Sequence, residues 1–169
     1  CINLKLIKDE KWIIIDEKNT QINFLSNTSI KYACSYRVSN SYPLIIYEKN
    51  KIILKGGFWD GRIEINSIPS DQKEEPVSSM IFFSNDNNCI VVMEMNEDEK
   101  LLLCGTKDGF IIAFDVDKTN LKIKRKIYSH SKEITSISIN NTLNMFASTS
   151  MDGYVNLYIL PSFQLVRSI

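Results

Sequence analysis

The chain has 169 residues, 44% hydrophobic and 24% charged, the balance of a soluble globular polypeptide of about one domain rather than a disordered one. Twenty Lys and Arg offset twenty Asp and Glu, so no global field attracts nucleic acid or anionic lipid. No apolar run approaches the ~20 residues of a membrane-spanning helix, and neither nucleic-acid binding nor membrane insertion is expected.

Cys1, Cys34, Cys89 and Cys104 lack the close spacing of zinc sites or small disulfide scaffolds. Free, buried thiols in a reducing, cytoplasmic compartment are expected, with no metal and no cofactor. The chain opens on Cys rather than Met and shows neither the basic start nor the apolar core of a signal peptide. Further residues are expected upstream.

In chain order, INLKLI, KWIIID and INFL are separated by polar turns and predict three strands of a degenerate unit over 1–30. Strands are predicted over 31–38, 43–48, 51–57 and 62–65, with the turn FWDG at 58–61. The polar stretch 67–79 holds Pro69 and Pro76 and reads as a surface loop. Strands follow over 78–84, 89–95, 100–106 and 110–116, with the turn KDG at 107–109. The acidic run EMNEDE at 94–99 lacks the alternating ligands of a calcium loop and reads as a solvated turn. The final unit has strands over 121–128, 133–139, 143–150 and 153–160, and 161–169 is expected to begin a further blade. Simple alternation within 122–126 puts Lys122, Lys124 and Lys126 on one face of an exposed outer strand, where lysines discourage edge pairing. Nowhere do apolar residues recur at the helical period, so the fold class is all-β.

Two of these segments align with each other, LLLCGTKDGFIIAF at 101–114 and MFASTSMDGYVNLY at 145–158, and ILKGGFWDGRIEIN at 53–66 is a fainter copy. The turn pairs are Asp60–Gly61, Asp108–Gly109 and Asp152–Gly153, their aspartates 48 and 44 residues apart. Glycine supplies the positive φ that such hairpins favour. Repetition at this period predicts a partial β-propeller of about three and a half to four four-stranded blades. The sequence units are 1–30, 31–66, 78–116 and 121–160, all within one domain over 1–169.

His130 is the only histidine, 22 residues before Asp152, with Ser148 and Ser150 between them. One chemistry for this set is a Ser-His-Asp hydrolase. The other is a buried network of His130, Ser148, Asp152 and the strand aromatic Tyr158 that satisfies polar groups and locks strand ends; Ser150 is the alternative hydroxyl. Neither a GxSxG elbow nor a Gly-rich oxyanion loop accompanies the serines. The bracing role is therefore preferred and no catalysis is expected.

SHSKEITSISINNTLNMFASTSMDGYVNLYIL at 129–160 resembles a WD repeat. His130 takes the place of that family's Gly-His dipeptide, with Ser129 for Gly, and Tyr158 stands where its strand-ending Trp falls. The middle unit keeps Asp108 and the aromatic Phe114, has no histidine and puts Cys104 at the hydroxyl position; in the first, Asn66 replaces the aromatic. YPLIIYEKNKIILKGGFWDGRIEI, and DEKLLLCGTKDGFIIAFDV through YILPSFQLVRSI, are similar to the propeller that follows the BEACH domain in the neurobeachin/beige-like trafficking scaffolds, with GFWD at 57–60 the most specific element. The resemblance implies a cytosolic protein-binding scaffold in vesicle trafficking, held peripherally on endomembranes through domains other than this one. The contact loops are expected at 58–61, 84–88, 107–109 and 129–132, gathered at one end of the blades, with Trp59, Asp86, Asn87, Lys107, Ser131 and Lys132 as contact residues. A purely structural propeller sector, with its partner surface elsewhere, is the remaining alternative.

Overall fold

The computed structural model describes residues 2–7, 11–16, 21–26, 29–35, 43–47, 52–57, 59–67, 78–81, 88–98, 100–117 and 120–169. The chain divides into two units, Cys1–Ser41 and Tyr42–Ile169. The first is one antiparallel meander of β1 (Ile2–Ile7), β2 (Lys11–Asp16), β3 (Gln21–Ser26) and β4 (Ser29–Ser35). The second holds three more: β5 (Leu44–Tyr47), β6 (Ile52–Lys55), β7 (Ile63–Ser67) and β8 (Ser78–Ile81); β9 (Ile90–Met95), β10 (Leu101–Thr106), β11 (Phe110–Asp117) and β12 (Asn120–Tyr128); β13 (Ile134–Asn140), β14 (Met145–Ser150), β15 (Val155–Ile159) and β16 (Gln164–Ser168). There is no helix among the described residues. Four-stranded meanders repeating in this way are the construction of a partial β-propeller.

The hydrogen-bonded sheets are displaced by one strand from the sequence units. β12 pairs with β11 rather than opening the last sheet, and β8, expected to start the middle unit, pairs with β7. The segment expected to begin another blade instead forms β16, which closes the last sheet against β15. The strand placed over 31–38 belongs with the first meander as β4. Hydrophobic alternation marks strands without saying which neighbour they bond, so the sequence units 31–66, 78–116 and 121–160 each begin with the fourth strand of the preceding sheet.

The lysine face is corrected as well. The register of β12 slips between Phe114↔Ile123 and Ala113↔Arg125, leaving Lys124 as an extra, bulged residue. Beyond the bulge the strand's alternation is inverted, so Lys122 opposite Asp115 and Lys126 opposite Ile112 fall on opposite faces. The fourth strands β4 and β16 carry comparable register slips, which twist an outer edge away from further pairing.

Packing in the second unit centres on the sheet β9–β12. Leu102 and Cys104 on β10, with Ile112, Phe114 and Val116 on β11, join Ile52, Leu54, Ile63 and Ile65 of the preceding sheet. The alternate residues Leu103, Ile111 and Ala113 join Ile134, Ile137, Phe146 and Tyr158 of the following one. Both faces are therefore buried, which explains why LLLC reads as a continuous apolar run rather than an alternation. Close approach is made possible by Gly105, where a Cβ would lie 2.6 Å from Val92 Cγ1 and 2.8 Å from Ile134 Cγ2.

Both neighbours of Gly105 are β-branched and stiff at χ1, so they yield little. Gly105→Ala is expected to cost about 1–3 kcal/mol through overpacking, read as a lower midpoint in urea or thermal unfolding. Unchanged stability would mean that the sheets stand farther apart than described.

Candidate functional site

The turns joining second to third strands and the segments joining one sheet to the next fall at the same end of the Tyr42–Ile169 unit. They are 59–62, 107–109, 129–133 and 151–154. Gly109 N–H donates to Thr106 O at 3.2 Å, and the Gly109 carbonyl accepts from Ser129 N–H and His130 N–H, each at 3.0 Å. Gly109 has φ 84°, and a Cβ there would overlap the His130 carbonyl oxygen, so two constraints select glycine. The turn of one sheet thus fixes the segment leading into the next.

His130 is held by that segment, Ser148 lies on β14, Asp152 in the following turn and Tyr158 on β15. His130 Nε2 lies 2.8 Å from Ser148 Oγ, and Nδ1 lies 3.2 and 3.1 Å from the two Asp152 oxygens. The tautomer protonated at Nδ1 satisfies both contacts: the ring donates to Asp152 and accepts from the Ser148 hydroxyl. Asp152 also accepts from Ser131 N–H at 2.9 Å and Tyr154 N–H at 3.0 Å. Burial works against ionisation of Asp152, but the N–H donors of Tyr154 and Ser131, followed by His130, outweigh it and hold the carboxyl below its usual value.

Tyr158 joins through a residue that sequence reasoning left out of the network. Its hydroxyl lies 2.6 Å from Ser129 Oγ, which is 3.3 Å from Ser148 Oγ. Asn156, also unforeseen, donates from Nδ2 to the Ser129 carbonyl at 2.7 Å. Two signals were available: a serine in the family's glycine position facing a tyrosine in its tryptophan position, and an Asn two residues before Tyr158 on the same strand face. The Tyr158 ring stacks on Phe146 at 4.7 Å, so it serves the core with its body and the network with its hydroxyl. Ser150 works elsewhere, donating to Lys132 O and accepting from Asp152 N–H, each at 3.1 Å.

Among the described residues the other two turns lack this cluster. Asp60 is ion-paired by Arg62, and Asp108 is exposed. Cys104 occupies the Ser148 position; it is fully buried and burial pushes its thiol up. Trp59 is 71% exposed, and Lys107, Ser131 and Lys132 are exposed at the same end. Met151 and Tyr154, not singled out in the sequence, are exposed there too. Phe58, Asp86, Asn87 and most of 84–88 lie outside the described residues. Among the described residues, no three His, Cys, Asp or Glu side chains form a group able to hold a metal ion, and no helix is long and apolar enough to cross a membrane.

Residues 121–158 match the family WD domain, G-beta repeat. The chain therefore carries a WD40 repeat, and its matched segment runs from β12 through β15, spanning the boundary between two sheets. No curated protein matches the chain.

The Ser129–Tyr158 bond is tested by a double-mutant cycle. Ser129→Ala and Tyr158→Phe are each expected to cost about 0.5–1.5 kcal/mol, and the double variant less than their sum; strict additivity would deny the bond. Since the folded Asp152 carboxyl titrates below the unfolded one, near 4, its stabilisation is complete above that pH and is lost as pH falls through the folded value. Asp152→Asn is expected to lower Tm at neutral pH and to flatten the fall of Tm on the acid side. An acid limb as steep as that of the parent chain would contradict the assignment.

Proposed function

We propose that this chain is a non-catalytic scaffold that binds partner proteins through the loops at the Asp-Gly end, as part of a BEACH-type protein of vesicle trafficking. The observation that carries the reading is the exposure there of Trp59, Lys107, Ser131, Lys132, Met151 and Tyr154, on turns of which 107–109, 129–133 and 151–154 are tied in series by the backbone bonds of Gly109 to Ser129 and His130 and of Met151 to Glu133. WD40 repeats generally mediate protein–protein contacts. Aromatics and long side chains on a rigid frame are what interface hot spots use. The trafficking context rests on the resemblance of the GFWD turn and its flanking strands, and with it come a cytoplasmic location and peripheral endomembrane association through other domains. The free thiols of Cys89 and Cys104 suit a reducing compartment.

The hydrolase reading has the spacing of a Ser-His-Asp set in its favour, and burial argues against it. Ser148 is 0% exposed and His130 is buried beside it, so a carbonyl substrate has no approach to Oγ. A buried set of this kind instead saves the cost of unsatisfied polar groups.

Two measurements test the proposal. Combined Trp59→Ala, Lys107→Ala, Lys132→Ala and Tyr154→Ala substitutions are expected to leave unfolding unchanged and to remove partners from an affinity capture; retention of every partner would overturn the surface. A fluorophosphonate probe is expected not to label the chain, and labelling abolished by Ser148→Ala would overturn the non-catalytic reading.

A further inference from the structure

We propose that a cleft at the end opposite the Asp-Gly turns, between the sheet β9–β12 and the β15–β16 turn, seats a short extended segment of a partner protein. One apolar side chain of that segment enters against Leu101, Leu160 and Phe163, and a flanking carboxylate pairs with Lys100 and Lys124. The proposal rests on the protein-binding reading above but places a second, chemically distinct contact on a different part of the unit.

The cleft has a volume of about 280 Å³, at the lower edge of pockets that enclose a small molecule, roughly 300 Å³ and upward. It suits one or two side chains. Its apolar wall is built from partly buried Leu101 and Leu160 and from Phe163, which packs edge-on against Phe146 at 6.1 Å. Phe163 sits at φ 59°, a region that bulky residues seldom occupy. The turn is held by Phe163 N–H on Ile159 O and Leu160 N–H on Asn144 O, each at 2.8 Å. A wall fixed in this way costs little ordering when a ligand arrives.

The polar rim favours an acidic ligand. Lys124 Nζ pairs with Asp115 Oδ1 at 2.7 Å across an exposed surface, a pair that a second carboxylate can join or replace at small cost. Lys100 is exposed, has no ion-pair partner among the described residues and lines the cleft with Lys124, so the lining carries two lysines to one carboxylate, Asp115. Glu97 and Asp98 belong to the same turn but do not line the cleft. Asn96 accepts from Lys100 N–H and Leu101 N–H through Oδ1, each at 2.9 Å. Its amide NH2 is left as a donor for a backbone carbonyl.

The test uses the 169-residue chain and three labelled peptides, Ser-Asp-Leu-Leu-Asp-Ser, Ser-Lys-Leu-Leu-Lys-Ser and Ser-Asp-Ser-Ser-Asp-Ser, followed by fluorescence anisotropy. The first is expected to bind saturably and at least about tenfold more tightly than the other two, a factor that corresponds to about 1.4 kcal/mol. Lys100→Glu is expected to reverse the preference between the acidic and basic apolar peptides without lowering Tm. Equal binding of all three, no binding of the first, or indifference to Lys100→Glu would overturn the cleft. Trp59→Ala, at the other end, is expected to leave peptide binding unchanged, and a loss would also count against the cleft. A failed peptide assay beside an intact loop-dependent capture removes the cleft alone. The converse removes the Asp-Gly surface alone.

Discussion

Burial of both faces of one four-stranded sheet is the constraint on which the rest depends. On β10 and β11 successive side chains go to opposite cores: Leu102 and Ile112 to one, Leu103 and Ile111 to the other. A sheet apolar on both sides is stable only between two others, and Gly105 lets the following sheet come close. Face-to-face stacking then aligns equivalent turns. The loops that can meet a partner at one end, and the walls of the cleft at the other, are consequences of how the sheets bury themselves.

The polar cluster around His130 illustrates how little residue identity says about role without burial. His130 bridges Ser148 and Asp152 in the order a hydrolase would use, yet the hydroxyl is sealed inside the fold. There the cluster joins strands β14 and β15 and the segment before β13 through side-chain bonds to other side chains and to the backbone of Ser129, Ser131 and Tyr154. Ser129 and Tyr158 extend it with a hydroxyl pair. This sequence departs from the family pattern at both positions, and the two departures meet each other in space. At the Asp108 turn, which has no such histidine, the Gly109 carbonyl accepts from Ser129 and His130 N–H and ties that turn to the segment leading into the next sheet.

The fold class was legible because it rests on local signals. Alternating runs and Asp-Gly turns at a recurring period need no knowledge of partners, and His130, Ser148 and Asp152 fall at repeat-defined positions. What sequence could not show depends on pairing. Whether β12 closes one sheet or opens the next is a hydrogen-bond choice that leaves the apolar pattern unchanged. The bulge at Lys124 inverts one end of a strand while its composition stays the same. Ser129 and Asn156 acquire roles only from what lies opposite them. The cleft brings together Asn96, Lys124 and Phe163, which no local pattern links.

Amide hydrogen exchange resolved along the second unit tests the central claim most directly. With both faces of β9–β12 covered, the amides of β10 and β11 are expected to exchange slowest and as one cooperative group, while β16, exposed throughout, exchanges faster. Exchange in β10 as rapid as in β16 would show that the sheet is not held between two neighbours, and the account built on it would fall.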